Sequence, residues 1–151
     1  MKVTVVVDPS SEREVIIKAP EYDDEVAKIR AAVDSASGDG EIALRSGQSE
    51  VFVKRSEIYF FEVSDDKTYA HTARDCFTTP MRLLELEGVL PGTFCRASKS
   101  VLVNAMKIRS MTRSPTGVGE ASFSGSEKKI YISRMYYKAV RDVIEEVRLK
   151  K

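Results

Sequence analysis

The first forty residues combine two short apolar runs with one amphipathic segment. Lys2–Val7 and Arg13–Lys18 are rich in β-branched residues, and the polar stretch Asp8-Pro9-Ser10-Ser11 between them is typical of a turn. The next apolar residues recur at helical spacing behind an acidic first turn. The helical stripe consists of Tyr22, Val26, Ile29 and Val33. This pattern predicts two strands followed by a helix.

From Glu41 onward, short alternating runs separated by polar turns predict a series of strands. The predicted strands are Glu41–Arg45, Glu50–Lys54, Glu57–Val63, Lys67–Thr72, Phe94–Ala97, Val101–Val103, Lys107–Met111, Val118–Ser124 and Lys128–Ile132. Two helices interrupt them. Thr79 is the predicted N-cap of the first, ahead of Pro80 and a leucine-rich stripe, and the second is predicted to begin near Ser133.

Length and composition indicate an ordinary globular protein. A chain of 151 residues with 42% hydrophobic and 31% charged residues can bury a core without disulfides or metal. No apolar run is long enough to cross a membrane, and the N-terminus lacks the features of a signal peptide. Cys76 and Cys95 have no recognisable metal or disulfide spacing, so we expect two small buried side chains. We therefore expect a cytoplasmic protein.

The net charge of +1 combines two parts of opposite sign. Residues 1–49 carry 6 Lys/Arg against 10 Asp/Glu, whereas residues 50–151 carry 18 against 13. Within residues 93–138, only Glu120 and Glu127 oppose nine basic residues. A basic segment on a nearly neutral chain indicates a surface that binds a polyanion, although a solvated basic surface has the same composition.

Catalytic chemistry has few candidates in this sequence. His71 is the single histidine, so a metal centre or a nucleophile–histidine pair would have to use it. It lies in the alternating run Lys67–Thr72, which is typical of a strand residue with an ordinary hydrogen-bonded role. We therefore expect no enzyme, no metal and no cofactor.

Two polar turns combine cations with hydroxyl groups. The first is the predicted hairpin tip over residues 64–69, which contains Lys67 and Thr68. The second surrounds Lys99, which stands between Ser98 and Ser100 and separates two apolar stretches. Loop tips of this composition are suited to contact with phosphates and base edges.

A third polar segment begins the last predicted helix. Ser133 is a natural N-cap, which puts Arg134 in the first turn, where the helix dipole disfavours a cation. A polyanion docked at this helix end would explain the arginine, because exposed amides and a guanidinium both bind phosphate. A solvent-exposed arginine without a partner is the alternative.

Four segments in the same order resemble the LytTR family of DNA-binding domains. Ile58–Glu62 resembles the opening strands of the family, and Leu83–Leu90 its helix. Ser100–Asn104 is similar to the most diagnostic stretch, and Ile132–Tyr136 to the closing signature. The resemblance covers about Ser49 to Glu146.

The resemblance implies an α+β, mainly β fold class. We expect an elongated LytTR-type domain of about ten short antiparallel strands with two helices over residues 49–151. A strand–strand–helix extension over residues 1–48 would precede it. The extension is too short for a receiver domain, so the resemblance is to stand-alone LytTR regulators. We predict that it is a dimerisation or effector module in which Val3, Val5 and Val7 pack against the helical stripe.

The resemblance also implies where DNA is contacted. LytTR domains insert loops and strand ends into successive major grooves, and the base-reading positions fall at Lys67, Thr68, Lys99 and Arg134. Our candidates for phosphate contacts are Arg96, Ser98, Ser100, Ser133 and Lys138. Many family members carry histidine, arginine or asparagine in the turn around Lys99. A lysine lacks the planar fork of arginine, so we expect a different base preference.

The predicted function is that of a bacterial, sequence-specific regulator of transcription that binds double-stranded DNA. The expected partners are this DNA and a second copy of the chain, at least on DNA, with no RNA and no membrane. The alternative is a β-rich protein- or ligand-binding module whose basic face is incidental.

Overall fold

The computed structural model describes residues 1–12, 14–37 and 40–149. Within them lie the helices α1 (Asp24–Ser37), α2 (Leu83–Val89) and α3 (Tyr137–Ile144), the last continued by a π-helical turn at Glu145–Leu149. The strands are β1 (Glu41–Ser46), β2 (Ser49–Lys54), β3 (Phe60–Ser64), β4 (Lys67–His71), β5 (Cys76–Thr79), β6 (Phe94–Ser98), β7 (Val101–Asn104), β8 (Ile108–Arg113), β9 (Gly119–Phe123) and β10 (Lys129–Ile132). The predicted mainly β architecture is confirmed.

The strands form two antiparallel sheets. The larger has the order β2-β1-β5-β4-β3-β7-β6, and the smaller has the order β10-β9-β8. Most neighbours are joined by hairpins, which local alternation and turn residues specify. The pairing of β3 with β7 links two of these hairpins and brings their tips to the same end of the sheet.

The central strands bury side chains on both faces, because successive residues of a strand point to opposite sides. Phe60 and Phe61 are only 4% and 0% exposed. Phe61 and Leu102 belong to a core that is covered by Leu83 and Leu86 of α2 and by Leu90 just after it. Phe60 and Val103 face a second core. That second core also contains Phe123, Ile130, Ile132, Tyr137 and Val140, so it joins the two sheets and α3.

Tertiary pairing changes the start of the first predicted helix. The sequence prediction misses β5, whose residues pair with β4 and, through Thr78, with β1. Thr79 ends this strand instead of capping the helix, and its Oγ1 accepts a hydrogen bond from the Met81 N–H at 3.2 Å. α2 begins at Leu83, and Arg82 is its N-cap residue. The Arg82 N–H donates a hydrogen bond of 3.2 Å to Glu85 Oε1, which caps the start of the helix.

The last helix also begins later than predicted. The Ser133 carbonyl accepts hydrogen bonds from the N–H groups of Tyr136 (3.0 Å) and Tyr137 (3.1 Å). Residues 133–136 therefore form a turn, and α3 begins at Tyr137 with Tyr136 as its N-cap residue. Arg134 lies in this turn and not in the first turn of the helix.

The two strands predicted at residues 2–7 and 13–18 are not formed by the described residues, and Arg13 lies outside them. The turn between them is present, because the Ser11 N–H donates to the Asp8 carbonyl at 3.0 Å. Val3, Val5 and Val7 are 81%, 81% and 87% exposed, so their predicted packing against the α1 stripe is wrong for the single chain. A two-stranded hairpin without a third strand buries too little apolar surface to be stable.

The β1–β2 hairpin crosses the predicted domain boundary at residue 48. Its strands pair continuously from Glu41↔Lys54 to Ser46↔Ser49. Leu44 of β1 is fully buried in the core beneath α2. Residues 41–54 are therefore part of the larger sheet, and the extension is confined to the residues before Glu41.

Candidate nucleic-acid interface

The first predicted contact segment is the tip of the β3–β4 hairpin. Asp65 and Asp66 have φ values of 52° and 61°, as a type I′ turn requires, and Ser64 pairs with Lys67 across it. The Lys67 side chain is exposed at this tip. Thr68 is only 8% exposed, since β4 is covered by its neighbours β3 and β5. This burial removes Thr68 from the candidate base readers, whereas Lys67 stays a prediction.

The second segment is the tip of the β6–β7 hairpin. Ser98 Oγ accepts the Ser100 N–H at 3.2 Å and closes the turn. Arg96 Nη1 donates to the Lys99 carbonyl at 2.9 Å, while Arg96 Nε lies 3.3 Å from Glu87 Oε1 in an ion pair without hydrogen-bond geometry. The Arg96 side chain is 22% exposed, so it supports the turn and is a poor candidate for phosphate contact. The Lys99 side chain is exposed on this supported turn.

The third segment is the turn before α3. Arg134 is exposed, and its aliphatic stem lies across Gly117 in the β8–β9 turn. Gly117 has a φ of +93°, and a Cβ there would lie 2.6 Å from Arg134 Cδ. Only glycine meets both requirements, because other residues rarely adopt such a φ and would displace the arginine. Lys138 is also exposed, near the start of α3.

Main-chain hydrogen bonds bring the three segments together. The Val63 N–H donates to the Ser100 carbonyl at 2.8 Å, which joins the first hairpin to the second. The Ser133 N–H donates to the Ala97 carbonyl, also at 2.8 Å, which joins the second hairpin to the third segment. A cleft of about 430 Å³ lies beside the second and third segments. Its lining includes Ser98, Ser100, Tyr131 and Ser133, and the first hairpin contributes Glu62 of β3.

The basic residues of the segment 93–138 divide into two groups. Five have partners: Arg96 with Glu87, Lys129 with Glu120, Lys128 with the Asp75 carbonyl, Lys107 over the Tyr59 ring and Arg113 over the Tyr137 ring. The side chains of Lys99, Arg109, Arg134 and Lys138 form no hydrogen bond, ion pair or ring contact with the described residues. Three of these four are predicted contact residues, so the cations left free coincide with the candidate interface.

The cleft contains two exposed apolar residues that the sequence prediction missed. Tyr131 is 71% exposed and Val118 is 42% exposed, and both line the cleft. The signal for Tyr131 was the alternation of β10, where Ile130 and Ile132 are buried and the residue between them must face outward.

His71 is a hydrogen-bonded strand residue with a structural role, because its ring links the larger sheet to Lys128 just before β10. Its Nε2 lies 2.7 Å from Glu62 Oε1, and its Nδ1 lies 3.2 Å from Lys128 Nζ. Because an ammonium group only donates, Nδ1 accepts and Nε2 carries the hydrogen. The ring also stacks on Phe60 with a centroid separation of 4.3 Å. Burial lowers the pKa of His71, the hydrogen bond with Glu62 opposes this effect, and the charge of Lys128 adds to it.

We expect the lowered pKa of His71 to make the fold sensitive to acid. The unfolded chain binds a proton at His71 below about pH 6.5, whereas the folded protein binds it only at lower pH. The free energy of unfolding should therefore decrease as the pH falls through this range. His71→Gln does not titrate and should flatten this dependence, which urea unfolding between about pH 5 and about pH 8 would measure. Identical pH dependence in the two proteins would contradict this assignment.

Both cysteines are free. Burial raises the pKa of the Cys95 thiol to about 11, and the side chain packs against the core between the sheets. Cys76 is exposed at the start of β5, so the expectation of two buried cysteines is wrong for this one.

Within the described residues, no cluster of His, Cys, Asp and Glu is able to hold a metal ion. The described helices are too short or too polar to cross a membrane.

Known proteins share both the sequence pattern and the fold. The sequence model of the LytTr DNA-binding domain matches residues 27–145. An uncharacterized HTH-type transcriptional regulator of Staphylococcus aureus strain NCTC 8325 is 28% identical over 132 residues, which cover 87% of this chain and 89% of that protein. A protein of the same description in strain MRSA252 is 27% identical over 132 residues. A LytTr DNA-binding domain of Bacillus cereus has the same fold, with a TM-score of 0.65 at 23% identity over 71% of this chain and 98% of that one.

The description of these relatives as HTH-type differs from the fold observed here. Strands separate α1, α2 and α3, so the described residues contain no helix–turn–helix. The matched region begins within α1 and includes both sheets and all of α3. The chain therefore belongs to the LytTR family of DNA-binding domains.

Proposed function

We propose that this protein regulates transcription by binding double-stranded DNA in a sequence-specific manner, with its loops in successive major grooves. The observation that carries this proposal is that main-chain hydrogen bonds join three loop segments whose exposed cations have no side-chain partner among the described residues. Membership of the LytTR family and the names of the Staphylococcus relatives as transcriptional regulators support it.

Three exposed cations are the proposed base readers. Arg134 has a planar guanidinium that matches the O6 and N7 acceptors of guanine. Lys67 and Lys99 are point charges on flexible stems, which select acceptor-rich base edges with less geometric discrimination. We therefore expect the DNA position contacted by Arg134 to be the most strictly recognised of the three.

The proposed phosphate contacts flank these readers. Ser98, Ser100 and Ser133 line the cleft and present hydroxyl groups, and Lys138 adds a free cation on α3. Hydroxyl and ammonium groups are common donors to phosphate oxygens, and such contacts position the protein without reading sequence. Tyr131 adds an exposed aromatic face that suits apolar contact with a sugar or a thymine methyl group.

We also propose that the protein is cytoplasmic and binds DNA as a homodimer. One set of three loops is suited to one half-site, and two copies related by a twofold axis are suited to a repeated site. The acidic residues before Glu41 disfavour contact between this part and DNA, which leaves it available for association.

Selection of bound sequences from random DNA tests the proposal, since it returns both the half-site and its spacing. Binding to the selected DNA should weaken steeply with salt, by about 0.9 in log–log slope for each phosphate contact.

Lys138→Gln should reduce this salt-dependence slope by about one and weaken binding to all sequences alike. Arg141→Gln is the matched control, because Arg141 lies on the same helix but pairs with Glu145. Equal binding to unrelated sequences by the wild-type protein would rule out a sequence-specific regulator.

A further inference from the structure

The N-terminal segment exposes a strand-forming run, residues 14–18, with which no strand of the described residues pairs. Val15 and Ile16 are 64% and 67% exposed. At its ends, Glu14 and Lys18 form no ion pair or hydrogen bond through their side chains with the described residues. A β-branched run of this kind is stabilised only when a neighbouring strand pairs with it.

This run is complementary to itself in the antiparallel direction. When the pairing of two copies is centred on Ile16, Val15 of each copy lies opposite Ile17 of the other. The same register places Glu14 of each copy opposite Lys18 of the other. Opposite charges and β-branched pairs across strands are both stabilising, and the arrangement has the twofold symmetry of an isologous dimer.

The second apolar run is less suited to this role. A symmetric pairing of residues 2–8 would place Lys2 opposite Asp8. Asp8 Oδ1, however, already accepts hydrogen bonds from the Ser10 N–H at 3.0 Å and from Ser10 Oγ at 2.8 Å. The carboxylate of Asp8 is therefore committed to the turn, whereas the side chains of Glu14 and Lys18 have no partner among the described residues.

We propose that residues 14–18 form the dimerisation strand of this protein and that its partner is a second copy of the chain. This inference rests on the proposed homodimer and names its interface. In the proposed dimer, the turn closed between the Ser11 N–H and the Asp8 carbonyl allows the run 3–7 to pair beside this strand, so that each copy contributes two strands. Four strands exceed the three that a sheet needs for independent stability, which a single hairpin lacks.

DNA does not fit the same surface. Residues 1–49 carry 6 basic against 10 acidic residues, so this part of the chain repels a polyanion. Residues 14–18 carry one acidic and one basic side chain, Glu14 and Lys18. In the paired dimer each of them lies opposite the residue of opposite charge in the second copy.

Charge exchange in the full-length protein tests the register. Glu14→Lys and Lys18→Glu each place like charges opposite each other at both ends of the paired strands. Each should weaken the dimer by about tenfold in sedimentation velocity without DNA, and the double variant E14K/K18E should recover most of this loss. Glu25→Lys and Lys28→Glu are matched controls, because they make the same charge changes on α1 outside the run. Both controls should leave the dimer unchanged.

Cross-linking supplies a second measurement at the centre of the register. Ile16→Cys should form a disulfide-linked dimer on mild oxidation, because the two residues lie opposite each other across the twofold axis. Met135→Cys, which replaces a residue 83% exposed elsewhere on the chain, controls for random collision and for the exposed Cys76.

The outcomes separate this interface from the proposed function. A dimer that E14K and K18E affect no more than their controls would overturn the interface while the homodimer stands. A wild-type protein that is monomeric at all concentrations without DNA would also overturn it. The proposed dimer on DNA is judged separately, by the mass of the complex with the selected site. Weakening by both single variants with recovery in the double variant supports the interface.

Discussion

Replacing Phe123 with alanine is expected to destabilise the fold by about 3–5 kcal/mol. Phe123 is fully buried, and its ring centroid lies 5.4 Å from that of Tyr59 and 5.5 Å from that of Phe60. These contacts join β9 of the smaller sheet to the central strand region of the larger one. Removal of the ring leaves a cavity between the sheets, which close packing on both sides prevents from collapsing. Chemical denaturation followed by circular dichroism measures the loss.

Phe52→Ala is the matched control for this prediction. Phe52 is 63% exposed on the edge strand β2, so its removal should change the free energy of unfolding by no more than about 0.5 kcal/mol. Comparable losses in the two variants would contradict the assignment of Phe123 to the joint between the sheets. Because the Ser133–Ala97 hydrogen bond crosses the same joint, Phe123→Ala should also weaken DNA binding at temperatures where it remains folded.

Replacing Arg134 with alanine is expected to weaken binding to the selected DNA by about 1–3 kcal/mol, or roughly 5- to 150-fold. Its free guanidinium is the one planar donor group among the proposed base readers, so discrimination at a single DNA position should relax. Competition binding with every base at each position of the half-site measures both effects. Arg141→Ala is the control on α3, the helix that follows the Arg134 turn, because Arg141 pairs with Glu145, and it should leave base preference unchanged. A uniform loss of affinity without relaxed preference would make Arg134 a phosphate contact instead.

Gly117→Ala should reproduce part of the Arg134→Ala effect without altering the arginine itself. The added Cβ would lie 2.6 Å from Arg134 Cδ, so the side chain must move away from its position over the turn. Gly47→Ala is the matched control, because Gly47 also has a positive φ, of +62°, but nothing lies within 4 Å of its Cβ position. Loss of DNA discrimination in both glycine variants would indicate backbone strain and not displacement of Arg134.

Several features of the fold follow from local sequence. Alternation in runs such as Lys67–Thr72 identified the strands, since period-two burial is a property of the pleat itself. β5 was missed because its four residues, Cys76–Thr79, become a strand only by insertion between β1 and β4. The two strands predicted at the N-terminus were wrong for the opposite reason. Their composition was suitable, but the described residues provide no third strand to pair with them.

The candidate site shows the same division. Lys67, Lys99 and Arg134 were predicted as contacts from loop position and charge, and all three side chains are exposed. Thr68 is buried, and Arg96 is engaged by the Lys99 carbonyl and Glu87. Composition cannot distinguish a free cation from an engaged one, because the partner is often distant in the chain.

By itself, the sequence determined the strand periodicity, the basic loop tips and the four motifs of a LytTR domain. The tertiary structure alone decided that the two sheets share the core around Phe123. It also decided that Val63–Ser100 and Ser133–Ala97 hydrogen bonds join the three loop segments. Only the fold decided which cations have side-chain partners among the described residues. The physical reason is that periodicity and turn chemistry act between neighbours in sequence, whereas burial and pairing depend on residues that only folding brings together.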